Sequence, residues 1–279
     1  MEAYLGDRPY QIFPQRDFGQ GKQKMRLRRL NMDNSWCLQI GSINLVVDPW
    51  LKGYEVDYAA WFNKQWHKTP PTKTNDQSLE GKDSVLITQK YSDHYHRPTL
   101  KDLHPDVVFA PGTLREELNK LLPNASLNLF TNNADTFVIK GVTIKRLPVP
   151  FSFGPTYYSY LISTDKESIL IANHGLTIND EIRTLFERKT IDVLLSPFNE
   201  YRLPAVFGGL VSPGLPALER LVLAVQPRKI ISTHDEIKHG QGLIPALAKI
   251  KVFDQEMVDQ LPWLRGRHLN IPDYNTVSI

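Results

Sequence analysis

Three short apolar runs in the chain each end in a polar segment that contains a histidine. Runs of this length, bounded by polar turns, are typical of buried strands. Loops at strand ends are where a rigid sheet brings distant residues together, so we expect the three histidine segments to meet at one sheet edge. The runs and their segments are SVLIT (84–88) before Gln89–His96, SILIA (168–172) before Asn173–Gly175, and KIIST (229–233) before His234–Glu236.

These strand-end segments carry the donor atoms that a metal ion needs. Asp93, His94 and His96 offer three donors within a few residues, and His174 and His234 add one imidazole each. A metal site requires three or four nitrogen or oxygen donors that converge at about 2.0–2.2 Å from the ion. A histidine at a strand end is also commonly held by an ordinary hydrogen bond, so the spacing alone leaves both interpretations open.

The order of the predicted elements indicates an α+β fold. Strands dominate the first third of the chain, where Gly41-Ser42 separates two apolar runs as in a hairpin. Helical patterns alternate with short apolar runs later in the chain. No Gly-x-Gly-x-x-Gly motif follows a strand, which disfavours a doubly wound nucleotide-binding fold and favours mixed sheets covered by helices.

The chain divides into an arm and one large domain. Residues 1–24 are polar and rich in turn formers, and we interpret them as an N-terminal arm. Residues 25–279 form the predicted domain, with an aromatic-rich insertion at about 52–80 that we expect to pack on itself rather than to act as a linker.

Composition restricts the classes of partner. The single cysteine, Cys37, cannot form an intrachain disulfide, and no segment has the ~18 apolar residues that a membrane span needs. The net charge is only +3, without a concentrated basic face. We therefore predict a cytoplasmic protein without a membrane span, which acts on a small molecule and not on nucleic acid.

Five segments, taken in order, resemble the ordered motifs of the metallo-β-lactamase superfamily, over roughly residues 25–240. The resemblance implies a four-layer αββα sandwich of two mixed β-sheets flanked by helices, in which Asp48-Pro49 is structural. The most similar members are the broad hydrolase branch that includes L-ascorbate-6-phosphate lactonases and the phospholipase D acting on N-acyl phosphatidylethanolamine. The segments are VVDPWL, ITQKYSDHYH, ILIANHG, IDVLLSP and IISTHDE.

The chain departs from the superfamily pattern at the ligands of the first metal. Gln89 and Tyr91 stand at the two leading histidines of the H-x-H-x-D-H motif, and the segment PFSFGP (150–155) has no histidine where the third ligand is expected. A histidine, His174, stands at the position of the bridging aspartate. Asp93, His94 and His234 match the pattern.

The resemblance thus implies a single-metal site. Its predicted ligands are Asp93, His94, His174 and His234, with His96 as an extra donor. Three imidazoles and one carboxylate suit Zn²⁺, and Fe²⁺ and Mn²⁺ are the alternatives.

Catalysis at one metal would require a separate group for proton transfer. Tyr91, Asp235 and Glu236 are the predicted candidates, and a solvated loop is the alternative interpretation for the two acids. The leading hypothesis is a metal-dependent hydrolase of an ester, a lactone or a phosphodiester. A catalytically inactive binding or scaffold protein is the second hypothesis, and a nuclease is the third.

Overall fold

The computed structural model describes residues 25–73, 79, 84–149 and 157–279. The predicted arm, residues 1–24, lies outside the described residues, as does the segment PFSFGP. The described helices are α1 Arg97–Leu103, α2 Arg115–Leu121, α3 Asp180–Arg188, α4 Gly214–Val225, α5 Leu243–Leu247 and α6 Gln255–Gln260.

A seven-stranded mixed sheet forms one half of the domain, in the order β19-β1-β2-β3-β6-β7-β8. Its strands β1, β2 and β3 pair antiparallel, whereas β3, β6, β7 and β8 pair parallel. The predicted hairpin at Gly41-Ser42 is confirmed as the β2–β3 turn. The strands are β1 Arg26–Arg29, β2 Trp36–Ile40, β3 Ile43–Val47, β6 Ser84–Leu86, β7 Val107–Pro111, β8 Ser126–Phe130 and β19 Val277–Ser278.

A six-stranded mixed sheet forms the other half, in the order β16-β13-β12-β11-β10-β9. Here β12, β13 and β16 pair parallel and the others pair antiparallel. The strands are β9 Thr136–Ile139, β10 Val142–Leu147, β11 Ser159–Ser163, β12 Ser168–Ile171, β13 Val193–Pro197 and β16 Lys229–Thr233.

The two large sheets pack face to face, because residues that alternate along each strand bury opposite faces. On β3, Leu45 lies in the core between the sheets, whereas Val46 packs with helices α1 and α2. On β12, Ile169 lies in the same central core, whereas Leu170 packs with α3, α4 and α6. The layers therefore run helix, sheet, sheet, helix, which confirms the predicted αββα sandwich.

Two small antiparallel sheets flank the sandwich. One joins β15, β14 and β18, and the other joins β17, β5 and β4. The second contains β4 and β5, which lie within the predicted insertion at 52–80, and its pairing with β17 ties that insertion to the segment after His234. The strands are β4 Tyr54–Asp57, β5 Asn63–Trp66, β14 Glu200–Arg202, β15 Leu210–Pro213, β17 His239–Gln241 and β18 Lys249–Lys251.

Candidate metal centre

The parallel strands of both sheets direct their carboxyl ends to one edge of the sandwich. Asp48 follows β3, the Gln89–His94 segment follows β6, His174 follows β12, and His234 follows β16. This shared edge brings together side chains that are up to 186 residues apart in sequence, between Asp48 and His234.

Asp93, His94 and His234 form a group of potential metal ligands, and one donor atom from each lies within 4.8 Å of the other two. We call these three residues the ligand group. His94 Nε2 and Asp93 Oδ2 are 3.6 Å apart, and two donors bonded at about 2.1 Å to one tetrahedral ion would be roughly 3.4 Å apart. The Nδ1 atom of His234 is buried and has no hydrogen-bond partner. A buried polar atom without a partner calls for an explanation, and a bound cation would provide one. The donor set therefore fits a single metal ion.

Asp48 fixes the orientation of the His94 ring. Its Oδ2 accepts from His94 Nδ1 at 2.7 Å and from the Thr88 hydroxyl at 2.6 Å, while its Oδ1 accepts from the Thr88 backbone N–H at 2.7 Å. A proton on Nδ1 leaves the lone pair on Nε2, which is the atom that faces the ligand group. This is the carboxylate–histidine arrangement that orients metal-binding imidazoles.

Gln89 lies between His94 and His174. Its Nε2 is 2.8 Å from Nε2 of each ring. His174 Nδ1 is 2.7 Å from the Val211 carbonyl, to which it donates, so its Nε2 is an acceptor for the Gln89 amide. Burial lowers the pKa of His174 to about 3, which keeps this ring neutral. His174, the predicted fourth ligand, thus lies beside the ligand group but is joined to it through Gln89.

The charges around His94 favour a proton on that ring. Burial lowers its pKa, but the carboxylates of Asp93 and Asp48 outweigh burial and raise the pKa to about 9. The Gln89 amide faces the same Nε2 atom as a donor. A proton, the amide and a metal ion therefore compete for one lone pair, and metal binding would release the proton.

Lys238 is a part of the site that the sequence pattern did not reveal. Its Nζ lies 2.9 Å from Asp33 Oδ2 and 3.6 Å from both Glu55 Oε1 and Asp93 Oδ2. Burial lowers the pKa of Lys238, but these carboxylates outweigh burial and hold the pKa well above its usual range. Burial would raise the pKa of Asp93, but the charges of His94 and Lys238 hold it well below its usual range.

Tyr91 lies at the edge of the site. It shares a hydrogen bond with Tyr157, whose ring centroid is 4.1 Å from that of His174. Burial raises the pKa of Tyr91 above its ordinary value of 10.0, so its phenol stays protonated near neutral pH. Tyr91 is thus suited to donate a hydrogen bond rather than to act as a base.

The structure does not support the predicted roles of the two acids that follow His234. Asp235 pairs with Arg29 at 2.5 Å and accepts a hydrogen bond from Ser232. Glu236 accepts from His67 Nδ1 and from the Thr69 backbone N–H, each at 2.6 Å. Both carboxylates are held by these contacts, and Glu236 connects residues 67–69 of the insertion to the loop after β16.

His96 is also placed away from its predicted role. Its Nδ1 accepts from the Thr99 N–H as the N-cap of α1, and its Nε2 is 3.3 Å from the Tyr54 carbonyl. Both ring nitrogens are therefore engaged, and His96 is a helix cap rather than a metal ligand.

Within the described residues, no helix is long and apolar enough to cross a membrane.

Solved structures share this fold. A possible metal-dependent hydrolase from Veillonella parvula aligns with a TM-score of 0.66 at 14% identity, over 92% of this chain and 100% of that chain. Igni18, a metallo hydrolase from the archaeon Ignicoccus hospitalis, aligns with a TM-score of 0.62 at 13% identity, over 92% of this chain and 99% of that chain. The diiron β-hydroxylase CmlA from Streptomyces venezuelae aligns with a TM-score of 0.62 at 14% identity, over 93% of this chain and 55% of that chain. At these identities the likeness shows the fold alone.

Sequence comparison identifies the family. A search of curated proteins finds no match. The sequence model of the family described as "Beta-lactamase superfamily domain" matches residues 31–234, which include Asp48, the ligand group and His174. Since the match covers most of the chain, the protein belongs to this family of β-lactamase superfamily domains.

Proposed function

We propose that the protein is a hydrolase that uses one divalent metal ion to cleave an ester, a lactone or a phosphodiester. The observation that carries the proposal is the convergence of Asp93, His94 and His234 within 4.8 Å. Two solved proteins of the same fold are described as a metallo hydrolase and a possible metal-dependent hydrolase, which agrees with this assignment without deciding the substrate.

The residues of the site would have separate roles. The ligand group would hold the ion, and Asp48 would keep the His94 lone pair directed at it. When bound, the ion would polarise the scissile group as a Lewis acid and would lower the pKa of water, so that hydroxide is available as a nucleophile near neutral pH. The Tyr157 ring lies beside His174, and its hydroxyl is hydrogen-bonded to that of Tyr91. This pair leaves one neutral hydroxyl proton that could be donated to an oxygen of the substrate.

A single ion is proposed because Gln89 and Tyr91 stand where the superfamily pattern has two ligands of the first metal. Two imidazoles and one carboxylate suit Zn²⁺, with a water or substrate atom in the fourth position. Fe²⁺ and Mn²⁺ are the alternative ions for such nitrogen and oxygen donors.

Metal content tests the proposal. Untagged protein purified without chelators should contain close to one equivalent of a transition metal by plasma mass spectrometry. Asp93→Asn and His234→Ala should lose most of this metal and should also lose hydrolysis of chromogenic ester, lactone or phosphodiester substrates. His104→Asn is a matched control, since His104 is an exposed histidine in the left-handed region that ends α1, where asparagine is tolerated. Only trace metal in the wild-type protein would refute the proposal.

A metal-free binding protein is the second candidate function, and a specific observation favours it. The Gln89 amide and the Lys238 ammonium already contact His94 and Asp93, so two of the three donors have partners without an ion. Thermal melts with and without EDTA separate the candidates, because an ion bound to the native state raises its stability. An unchanged melting temperature would favour the binding protein.

A further inference from the structure

Three carboxylates from distant parts of the chain surround the ammonium of Lys238. Asp33 follows β1, Glu55 lies on β4, Asp93 follows β6, and Lys238 itself lies between β16 and β17. We call these four residues the Lys238 cluster. The Trp50 ring, 5.2 Å from Nζ, closes one side of it.

The Lys238 cluster is nearly shut off from solvent. The exposed fraction of the side chain is 13% for Lys238, 2% for both Asp33 and Glu55, and 19% for Asp93. Removing charges from water costs several kcal/mol per ion unless they are paired and hydrogen-bonded. Glu55 reduces this cost, because burial raises its pKa to about 8 and the carboxyl group therefore keeps its proton near neutral pH. The ammonium then faces two ionised carboxylates, those of Asp33 and Asp93, and offsets one of their two negative charges.

The arrangement around Nζ resembles the oxygen shell of a bound cation. Oxygen atoms from three carboxyl groups converge on it at 2.9–3.6 Å, whereas Mg²⁺ and Ca²⁺ bind such oxygens at about 2.0–2.6 Å. Asp93 belongs to both the ligand group and the Lys238 cluster, as a carboxylate shared between two cations would.

We propose that Lys238 takes the place of a second metal ion, so that its ammonium holds the shared Asp93 carboxylate beside a single divalent ion. The part of this inference that concerns the divalent ion rests on the proposed function. The part that concerns Lys238 rests only on the geometry of the Lys238 cluster. Lys238 is thus a positioning residue, and it limits the site to one divalent ion.

The test removes the ammonium and asks whether a cation replaces it. Lys238→Ala removes the lysine side chain beyond Cβ and leaves the carboxyl groups of Asp33, Glu55 and Asp93 around the volume that the ammonium occupied. Chelator-treated Lys238→Ala should melt below the wild-type protein. Mn²⁺ at about 100 times its Kd should then raise the melting temperature of this variant by roughly 5 °C more than that of the wild type. Equilibrium dialysis should show one more Mn²⁺ per chain in the variant than in the wild type.

A primary amine offers an independent readout. Ethylammonium should raise the melting temperature of Lys238→Ala but not that of the wild type, because it restores both the charge and the N–H donors. Tetramethylammonium has the same charge without donors and should have no effect. If Lys238→Ala does not fold alone, Mn²⁺ or ethylammonium in the refolding buffer should recover soluble protein, and failure of both to do so would overturn the inference.

Two control variants sharpen the result. Lys64→Ala removes an ammonium that lies over the Tyr54 ring, on the small sheet that also contains Glu55. This variant should bind no additional Mn²⁺. Lys238→Met combined with Asp33→Asn removes one positive and one negative charge, and it should also gain none.

The outcomes keep the two proposals distinct. An extra Mn²⁺ in Lys238→Ala, together with a metal-free wild type, would support the inference and refute the proposed function. One metal ion in the wild type, without any additional Mn²⁺ in Lys238→Ala, would support the proposed function and refute the inference about Lys238.

Discussion

Replacing Asp48 by asparagine should reverse the tautomer that the neutral His94 ring, the form that binds a metal ion, adopts. The Thr88 backbone N–H needs an acceptor at the position of Oδ1, 2.7 Å away, so the amide oxygen of the new residue would stay there. Its NH₂ group would then face His94 Nδ1, where a carboxylate oxygen now accepts a hydrogen bond at 2.7 Å. Because two donors cannot face each other, the ring proton would move to Nε2 and remove the lone pair that faces the ligand group.

The expected loss of metal affinity follows from this swap. Changing the partner that orients a ligating histidine typically costs 10–100-fold in metal affinity, or about 1.4–2.7 kcal/mol. The backbone contribution should be small, because Asp48 has a φ of 46° and asparagine tolerates that left-handed region. We therefore expect Asp48→Asn to bind Zn²⁺ or Co²⁺ 10–100 times more weakly, in competition with a chromophoric chelator at fixed pH.

Glu236→Gln is the matched control. The Glu236 carboxylate contacts His67 Nδ1 and a backbone N–H, just as Asp48 contacts His94 and Thr88, but it does so at the insertion. This control should lose about 1–3 kcal/mol of stability and keep its metal affinity within threefold. A metal affinity of Asp48→Asn within threefold of the wild type, or an equal loss of affinity in Glu236→Gln, would contradict this role of Asp48.

Substitutions at three further positions test separate parts of the structure. Burial raises the pKa of Glu55 from its ordinary 4.5 to about 8, so the folded state holds a proton that the unfolded state has released, and stability should fall as pH rises from about 4.5 to 8. Urea unfolding at pH 5, 7 and 9 should show that Glu55→Gln lacks this loss, and parallel pH profiles for the two proteins would count against it. His96→Ala should cost about 1 kcal/mol of stability as a lost N-cap, whereas His96→Asn should cost little. Metal affinity should change in neither variant, and a loss in both would restore His96 as a ligand. Gln89→Ala frees the Nε2 lone pair of His94 from a hydrogen bond worth about 0.5–1.5 kcal/mol. Its metal affinity should rise by up to about tenfold, and a weaker affinity in the same competition assay would show that Gln89 supports metal binding instead.

The sequence could predict which strand ends meet, because that depends on local pattern. A buried strand is identifiable from its apolar run, and the carboxyl ends of neighbouring parallel strands share an edge by geometry. His94 and His234 were found in this way, and the structure places their donor atoms within 4.8 Å of each other and of Asp93. The order of strands and helices predicted mixed sheets covered by helices, and the resemblance implied the four αββα layers.

The direction of individual side chains beyond those ends was not predictable. His234 has a φ of 56°, so the chain turns sharply just before Asp235 and Glu236. Their side chains point to Arg29 and to His67 instead of to the ligand group. Nothing in a list of adjacent polar residues reveals such a turn, since a left-handed conformation at a non-glycine residue is uncommon.

The Lys238 cluster was invisible for a different reason. Asp33 and Lys238 form a hydrogen bond across 205 residues of sequence. Asp33, Glu55 and Lys238 lie in three separate segments, and single charges of this kind are ordinary surface features. The one available signal is that Lys238 lies four residues after a histidine that ends a buried strand.

The distribution of charge across the site argues for one divalent ion that can be removed without unfolding the protein. The side that contains Gln89, Tyr91 and His174 is neutral and hydrogen-bonded, so it needs no cation to balance it. On the other side, Lys238 already balances part of the charge of Asp93. A structural zinc site built from anionic ligands alone would collapse when the ion leaves, because uncompensated charges would remain buried. Here the removal of an ion present at about 100 times its Kd should lower the free energy of unfolding by only about 2.7 kcal/mol. The metal-free chain should therefore remain folded.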